Sequence, residues 1–173
     1  DAQYKLGLCF YMLSPKSRLD QQYTKRAIDE LQAFVEYYPK SEFVPDATEK
    51  IQELTSRLAK KEYDTAQLYA TMEYNKAAIF YYDNVIEKYH DTEYAPLAYL
   101  GKTEVLIARK KFRDAKTVIT KFLERFPNSV LRSRADKMNE QIDSELKSAP
   151  AASGKESGNT NNASSEANLL RPH

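Results

Sequence analysis

Few side chains in this sequence are equipped for chemistry, and their spacing narrows what they can do. There are two histidines, His90 and His173, and one cysteine, Cys9. A zinc centre needs three or four ligands converging on one point, which a lone thiol and two distant histidines do not supply. His90 falls at a helix-breaking position and reads as structural or solvent-exposed. Cys9 cannot close an intramolecular disulfide, so it says little about redox compartment. "LGLC" at 6–9 imitates a lipid-accepting cysteine, but Leu8 stands where a small residue is expected and no basic or long apolar region precedes it. Cys9 reads instead as a buried helical residue, because a free thiol behaves as a small hydrophobe. "LGKTE" at 100–104 evokes a phosphate loop, yet it lacks the first glycine and sits in a helical pattern. The carboxylates recur beside lysines at helical spacing, as on solvated faces. "ARKKFR" at 108–113 is a basic cluster that reads as a turn between helices and a candidate contact for an acidic partner. The 13 tyrosines suit cores and grooves, and an exposed subset would suit protein binding. No catalytic set, cofactor loop or metal site emerges, so a non-enzymatic binding protein without cofactor is expected.

Composition supports that reading. The 173 residues suffice for one ordinary domain and one core. Lysine plus arginine number 26 against 25 acidic residues, a net charge of +1 that lacks the basic field of a nucleic-acid binder. Only 4 glycines are present, two of them near the end, so helices are favoured and few tight turns are expected. No apolar run approaches the roughly 20 residues of a membrane span. No signal peptide is visible. The chain opens mid-pattern at Asp1, which reads as a fragment whose targeting segment would precede it.

The elements follow from a joint written three times: "YYPKSEFVPDA" at 37–47, "KYHDTEYAPLA" at 88–98 and "RFPNSVLRSRA" at 125–135. Ahead of them stand Ala27, Leu31, Phe34, Val35 and Tyr38; Ala78, Tyr82, Val85, Ile86 and Tyr89; and Ala115, Ile119, Phe122, Leu123 and Phe126. The apolar offsets are the same each time and make one stripe on an α-helix. The alanine admits a neighbouring helix. Pro39 and Pro127 end the helices around Tyr38 and Phe126, and His90 stands at the same breaker position after Tyr89. Ser41, Thr92 and Ser129 are then candidate N-caps. Pro45 and Pro96 fall in or beside the next first turn, where a missing N–H does little harm.

Each joint is thus a helix stop followed by a helix start, and the chain reads as stacked antiparallel pairs with a spacing close to that of tetratricopeptide repeats. The excess between the first and second units lies in residues 46–72, which read as one long helix or two with a bend near Lys60. Its expected apolar face is Ala47, Ile51, Leu54, Leu58, Thr65, Tyr69 and Met72, broken at Glu62. Residues 1–13 should be helical, 14–23 a loop, 94–110 and 112–126 a pair, and 130–147 a final polar helix capping the array. The fold expected is all-α: a tetratricopeptide-like superhelix of stacked helix pairs, with one long helix, over residues 1–147. Residues 148–173 are small and polar and should form a disordered tail, with Leu169 and Leu170 a passive end.

The stretch from Asp46 to Ala98, with Arg57-Leu58-Ala59 and Glu62-Tyr63, resembles the C-terminal repeats of the BamD family, lipoproteins of the outer-membrane β-barrel assembly machinery. "SRLDQQYTKRAIDELQAFVEYYPKSEF" at 17–43 looks like that family's preceding repeat. The resemblance takes in about residues 1–147, as the C-terminal two-thirds of such a protein. It implies a scaffold on the periplasmic face of the outer membrane, with a lipid on an N-terminal cysteine ahead of Asp1 as the only membrane contact. The implied partners are the BamA POTRA domain nearest the barrel, other assembly-machinery subunits and, mainly through missing N-terminal repeats, unfolded outer-membrane proteins. No nucleic acid is implied. Arg57 matches an arginine on the BamA-facing side and is the first interface candidate, with Lys50 and Lys61 beside it on the same helix. His90 departs from the family's usual proline, and the tail exceeds its short ending. Two alternatives stand beside this reading. The Tol-Pal coordinator shares the joints but not the long helix or "RLAKKEY". A cytoplasmic peptide-binding adaptor would need a carboxylate clamp, which is not clear here.

Overall fold

A computed structural model describes residues 2–148. Of the expected tail at 148–173, Ser148 ends the last helix and residues 149–173 lie outside the described residues. Seven helices follow in order: α1 (Ala2–Leu13), α2 (Gln22–Tyr37), α3 (Val44–Thr71), α4 (Asn75–Lys88), α5 (Tyr94–Ala108), α6 (Phe112–Arg125) and α7 (Arg132–Ser148). There is no strand among the described residues. Each helix packs on the next, and α3 also touches α1 and α5. Odd-numbered helices therefore share one layer of a tetratricopeptide-like stack.

The repeated stripe explains the packing. Offsets 0, 4 and 7 of all three units are buried: Ala27, Leu31 and Phe34; Ala78, Tyr82 and Val85; Ala115, Ile119 and Phe122. The next apolar position, Val35, Ile86 or Leu123, is half-buried. Burial in the stripe pushes the Tyr82 hydroxyl up to about 12, since an ionised phenolate there would lose its water.

The joints share one hydrogen-bond scheme. Ser41 N–H donates to Tyr38 O at 3.0 Å, and Val44 N–H to Ser41 O at 3.1 Å. Thr92 and Ala95 repeat this at 3.1 Å each, and Ser129 and Arg132 at 3.2 and 3.0 Å. The expected N-caps are corrected here. The helices begin after the hydroxyl residues, and α3 and α5 have Phe43 and Glu93 at the N-cap position, without a side-chain cap. Ser41 and Ser129 Oγ accept the N–H two residues on, at 3.3 and 3.2 Å, while Thr92 Oγ1 donates back to Tyr89 O at 2.7 Å. The hydroxyl braces the corner between two tight turns instead of capping a helix. Tyr38, Tyr89 and Phe126 have φ of −127°, −125° and −123°. His90 therefore occupies a backbone site that proline fills in the other two units.

The α3–α4 and α5–α6 turns are tight although they contain no glycine, contrary to expectation. Glu73 and Lys110 take φ of 60° and 57°. Tyr74 N–H donates to Tyr69 O at 2.9 Å and Glu73 N–H to Ala70 O at 3.1 Å; Lys111 and Lys110 repeat both bonds, to Leu106 O and Ile107 O. These are Schellman closures, in which an αL residue satisfies the last free carbonyls.

Residues 44–71 form one unbroken helix of 28 residues, about 42 Å long. Its first half packs Ala47, Leu54 and Leu58 against Ala27, Ile28, Leu31 and Phe34 of α2. Its second half packs Ala66, with Tyr63 and Tyr69, against Ala78, Tyr82 and Val85 of α4 and Ala98 and Val105 of α5. Because the helix changes partner midway, the buried stripe changes face through Ala59. Met72, expected on the apolar face, is an exposed C-terminal residue. A third core joins α5 and α6 to Ala135, Met138 and Ile142 of α7.

Two glycines mark the closest approaches. A Cβ on Gly7 would sit 2.7 Å from Leu31 Cδ2, and one on Gly101 would sit 2.5 Å from Tyr82 Cζ. "LGKTE" is thus helix packing: Gly101 admits the Tyr82 ring, and Thr103 Oγ1 donates to Tyr99 O at 2.8 Å. Cys9, expected to be buried, is exposed. Gly7 takes the buried side of α1, and Cys9 points roughly 200° away from it.

Gly101→Ala should lower stability by about 1–2 kcal/mol in urea unfolding, because overpacking against the Tyr82 ring exceeds the helix-propensity gain. His90→Pro should raise stability by about 0.4–1 kcal/mol by the same measurement, since only the unfolded chain loses freedom.

Candidate functional site

The three basic residues singled out from sequence, Lys50, Arg57 and Lys61, recur at intervals of two turns and one turn and share one face of α3. The structure places them along the seam between α3, α1 and the loop that follows α1. Lys50 Nζ bonds Asp46 Oδ1 at 2.8 Å and lies 5.2 Å from the centre of the Tyr11 ring. That bond raises the Lys50 pKa and, together with a hydrogen bond from the Tyr4 hydroxyl, lowers that of Asp46. Arg57 Nη1 donates to Ser14 Oγ at 2.9 Å and to the carbonyls of Ser14 and Pro15 at 3.2 Å. Its Nη2 bonds Glu53 Oε1 at 2.8 Å. One turn on, Lys61 Nζ bonds Leu19 O at 2.8 Å. The Lys50 and Arg57 side chains are 23% and 24% exposed.

These cations meet a buried polar network that reading 14–23 as a plain loop missed. Ser14 and Thr24 share a hydroxyl hydrogen bond of 2.6 Å, and Thr24 Oγ1 donates to Gln21 Oε1 at 2.7 Å. Gln21 Nε2 donates to Lys16 O at 2.9 Å and Leu19 O at 3.0 Å. The loop is therefore fastened from both sides: by Gln21 within α1–α2, and by Arg57 and Lys61 from α3. A guanidinium suits this place because its planar fork serves several acceptors at once, which an ammonium cannot. Pairs such as these join residues some 40 positions apart, which no local pattern signals.

Beside the loop runs a groove of about 550 Å³, bounded by Ser14 and Lys16 on one side and by Ser56, Arg57, Lys60 and Tyr94 on the other. Lys60 Nζ stands 5.6 Å from the Tyr94 ring centre, and Tyr94 packs on Tyr63 at 5.8 Å. Sequence reasoning missed Lys16, Lys60 and Tyr94. The groove offers cations, hydroxyls and an aromatic floor, which suits a polar segment of a protein partner. No group of three or more metal-ligating side chains forms among the described residues.

The family described as YfiO, outer membrane lipoprotein, matches residues 2–111 of this chain. The chain belongs to this family. The YfiO match holds α1 to α5 and all three basic residues of α3, and it ends before α6, short of the 1–147 expected from sequence. An outer membrane protein assembly factor BamD from Caulobacter vibrioides is 29% identical over 115 residues, 66% of this chain. The chain spans 38% of the length of that relative. The resemblance read from the repeats and the long helix is the one these comparisons bear out. Among the described residues no helix is long and apolar enough to cross a membrane.

Replacing Arg57 with lysine keeps the charge but loses the fork. Hydrogen exchange at residues 14–19 should quicken about tenfold or more, the equivalent of roughly 1.5 kcal/mol for hydrogen bonds to a charged group. Exchange in α5 and α6 should not change.

Proposed function

We propose that this chain is a non-enzymatic scaffold of the outer-membrane β-barrel assembly machinery, working on the periplasmic face of the outer membrane. The observation that carries the reading is membership of the YfiO family together with the fastened, groove-bearing face of α3. In this reading residues 1–147 act as one domain of stacked repeats and 148–173 as an appended tail. A lipid on a segment outside this sequence provides the anchor.

The partner at α3 is the POTRA domain of BamA nearest the barrel, with Arg57 at the centre of the contact and Lys50 and Lys61 flanking it. Other machinery subunits and unfolded outer-membrane proteins complete the set of partners. The geometry adds a qualification to the role of Arg57. Most of its donors already serve Ser14, Pro15 and Glu53. It therefore supports the contact largely by holding the loop in place, and Lys16 supplies freer charge beside it, Lys60 being paired with Asp64 at 3.4 Å.

Binding to the soluble POTRA region of BamA checks this. Arg57→Glu should weaken it at least tenfold, because the new carboxylate faces Glu53 and two carbonyls and cancels the net positive charge of the groove. Arg57→Lys should weaken it less. Unchanged affinity for a folded Arg57→Glu chain would remove this face from the interface.

A further inference from the structure

The far end of α3 carries a different surface. Helices α3 and α5 run in the same sense, so the α3–α4 and α5–α6 turns lie at one end of the stack. A groove of about 570 Å³ joins them, with Tyr69, Tyr74 and Lys76 on one wall and Arg109 on the other. Large apolar side chains stand in the open here: Met72, Tyr74 and Phe80 are 52% to 60% exposed. One ring cluster joins Tyr74 to Phe80: Tyr69 meets Tyr74 edge-on at 6.3 Å and stacks on Tyr81 at 5.3 Å, and Phe80 meets Tyr81 edge-on at 5.4 Å.

The charge around these rings is one-sided. Lys76, Arg109, Lys110, Lys111 and Arg113 stand against Glu73 and Asp114, in a chain whose net charge is only +1. Lys111 lies 3.8 Å from Asp114. Lys76, Arg109, Lys110 and Arg113 make no ion pair among the described residues. Lys110 also holds the αL position that glycine fills at least cost, with φ of 57°.

We propose that this end of the molecule is a contact surface for an anionic phospholipid bilayer. Tyrosine, phenylalanine and methionine rimmed by lysine and arginine are the chemistry of a membrane interface, where rings settle among headgroups and cations meet lipid phosphates. A protein-docking patch shares the aromatic centre and the arginines but is depleted of lysine, whereas Lys76, Lys110 and Lys111 all stand at this end. Membership of a family of outer membrane lipoproteins supplies the setting, a bilayer within reach. The surface lies at the tip of α3, and the Arg57 groove lies along its middle, so either assignment can fail alone.

Vesicle co-sedimentation of the whole chain tests it, with phosphatidylcholine alone or mixed with phosphatidylglycerol. Binding should require phosphatidylglycerol and weaken as salt rises. Combining Lys110→Gly with Lys111→Gln should weaken it about thirtyfold, at roughly fivefold per cation. The glycine suits its backbone site, so helicity and unfolding midpoint should hold or improve. Tyr74→Ser should weaken binding while leaving its salt dependence. No binding to phosphatidylglycerol vesicles overturns the proposal, as does binding indifferent to the Lys110 and Lys111 changes. Capture of an acidic peptide by these residues without vesicle binding would also overturn it, making the surface a protein-docking site.

Discussion

Everything in this stack depends on how closely one helix backbone can approach the next. Helices packed at about 8–10 Å between axes leave room at their crossings for little more than a methyl group. Ala27, Ala47, Ala59, Ala66, Ala78, Ala95, Ala98, Ala115 and Ala135 are all fully buried. Where even a methyl is too much, Gly7 and Gly101 stand opposite Leu31 and Tyr82. The larger residues one and two turns away fill the wedge that opens on either side of each crossing. Contact area then accumulates from one pair to the next, as in other repeat arrays.

The connections serve that approach. At the bottom of the stack a pair of overlapping turns, braced by a hydroxyl, reverses the chain three times with one geometry. At the top, Schellman closures do so in three residues. The first top connection is longer and cannot close itself. It is held by Gln21 and Thr24 from within and by Arg57 and Lys61 from α3, so the face singled out for binding is also the face that completes the fold. Electrostatics and architecture share the same side chains there.

Much of this was legible in sequence because helical periodicity is local. The alanine-led stripes, the helix ends at Tyr38, Tyr89 and Phe126, and the long helix can all be read from a window of a dozen residues. What was not legible has identifiable causes. Helix α1 is apolar nearly all round, so nothing local shows that Gly7 faces inward and Cys9 outward. The tight turns at Glu73 and Lys110 lack glycine, so their αL residues carry no mark. Ser41, Thr92 and Ser129 look like caps because a turn brace and a cap require the same hydroxyl. The network around Arg57 is assembled from residues distant in the chain, and only the fold brings them together. The candidate interface was therefore visible as a charged helix face, but its attachment to the loop was not.

In an ordinary repeat array each unit ends where its helices end, and the boundary is a natural place for the chain to come apart. Helix α3 removes one such boundary. Its first half completes the core with α2 and its second half the core with α4 and α5, along one continuous hydrogen-bonded rod. Fraying at either end is opposed by packing at the other, so the two cores should melt as a single cooperative unit. The modular character of the fold would then resume only beyond α5. A shortened chain that ends before Leu54 forfeits the core with α2 along with every core beyond it.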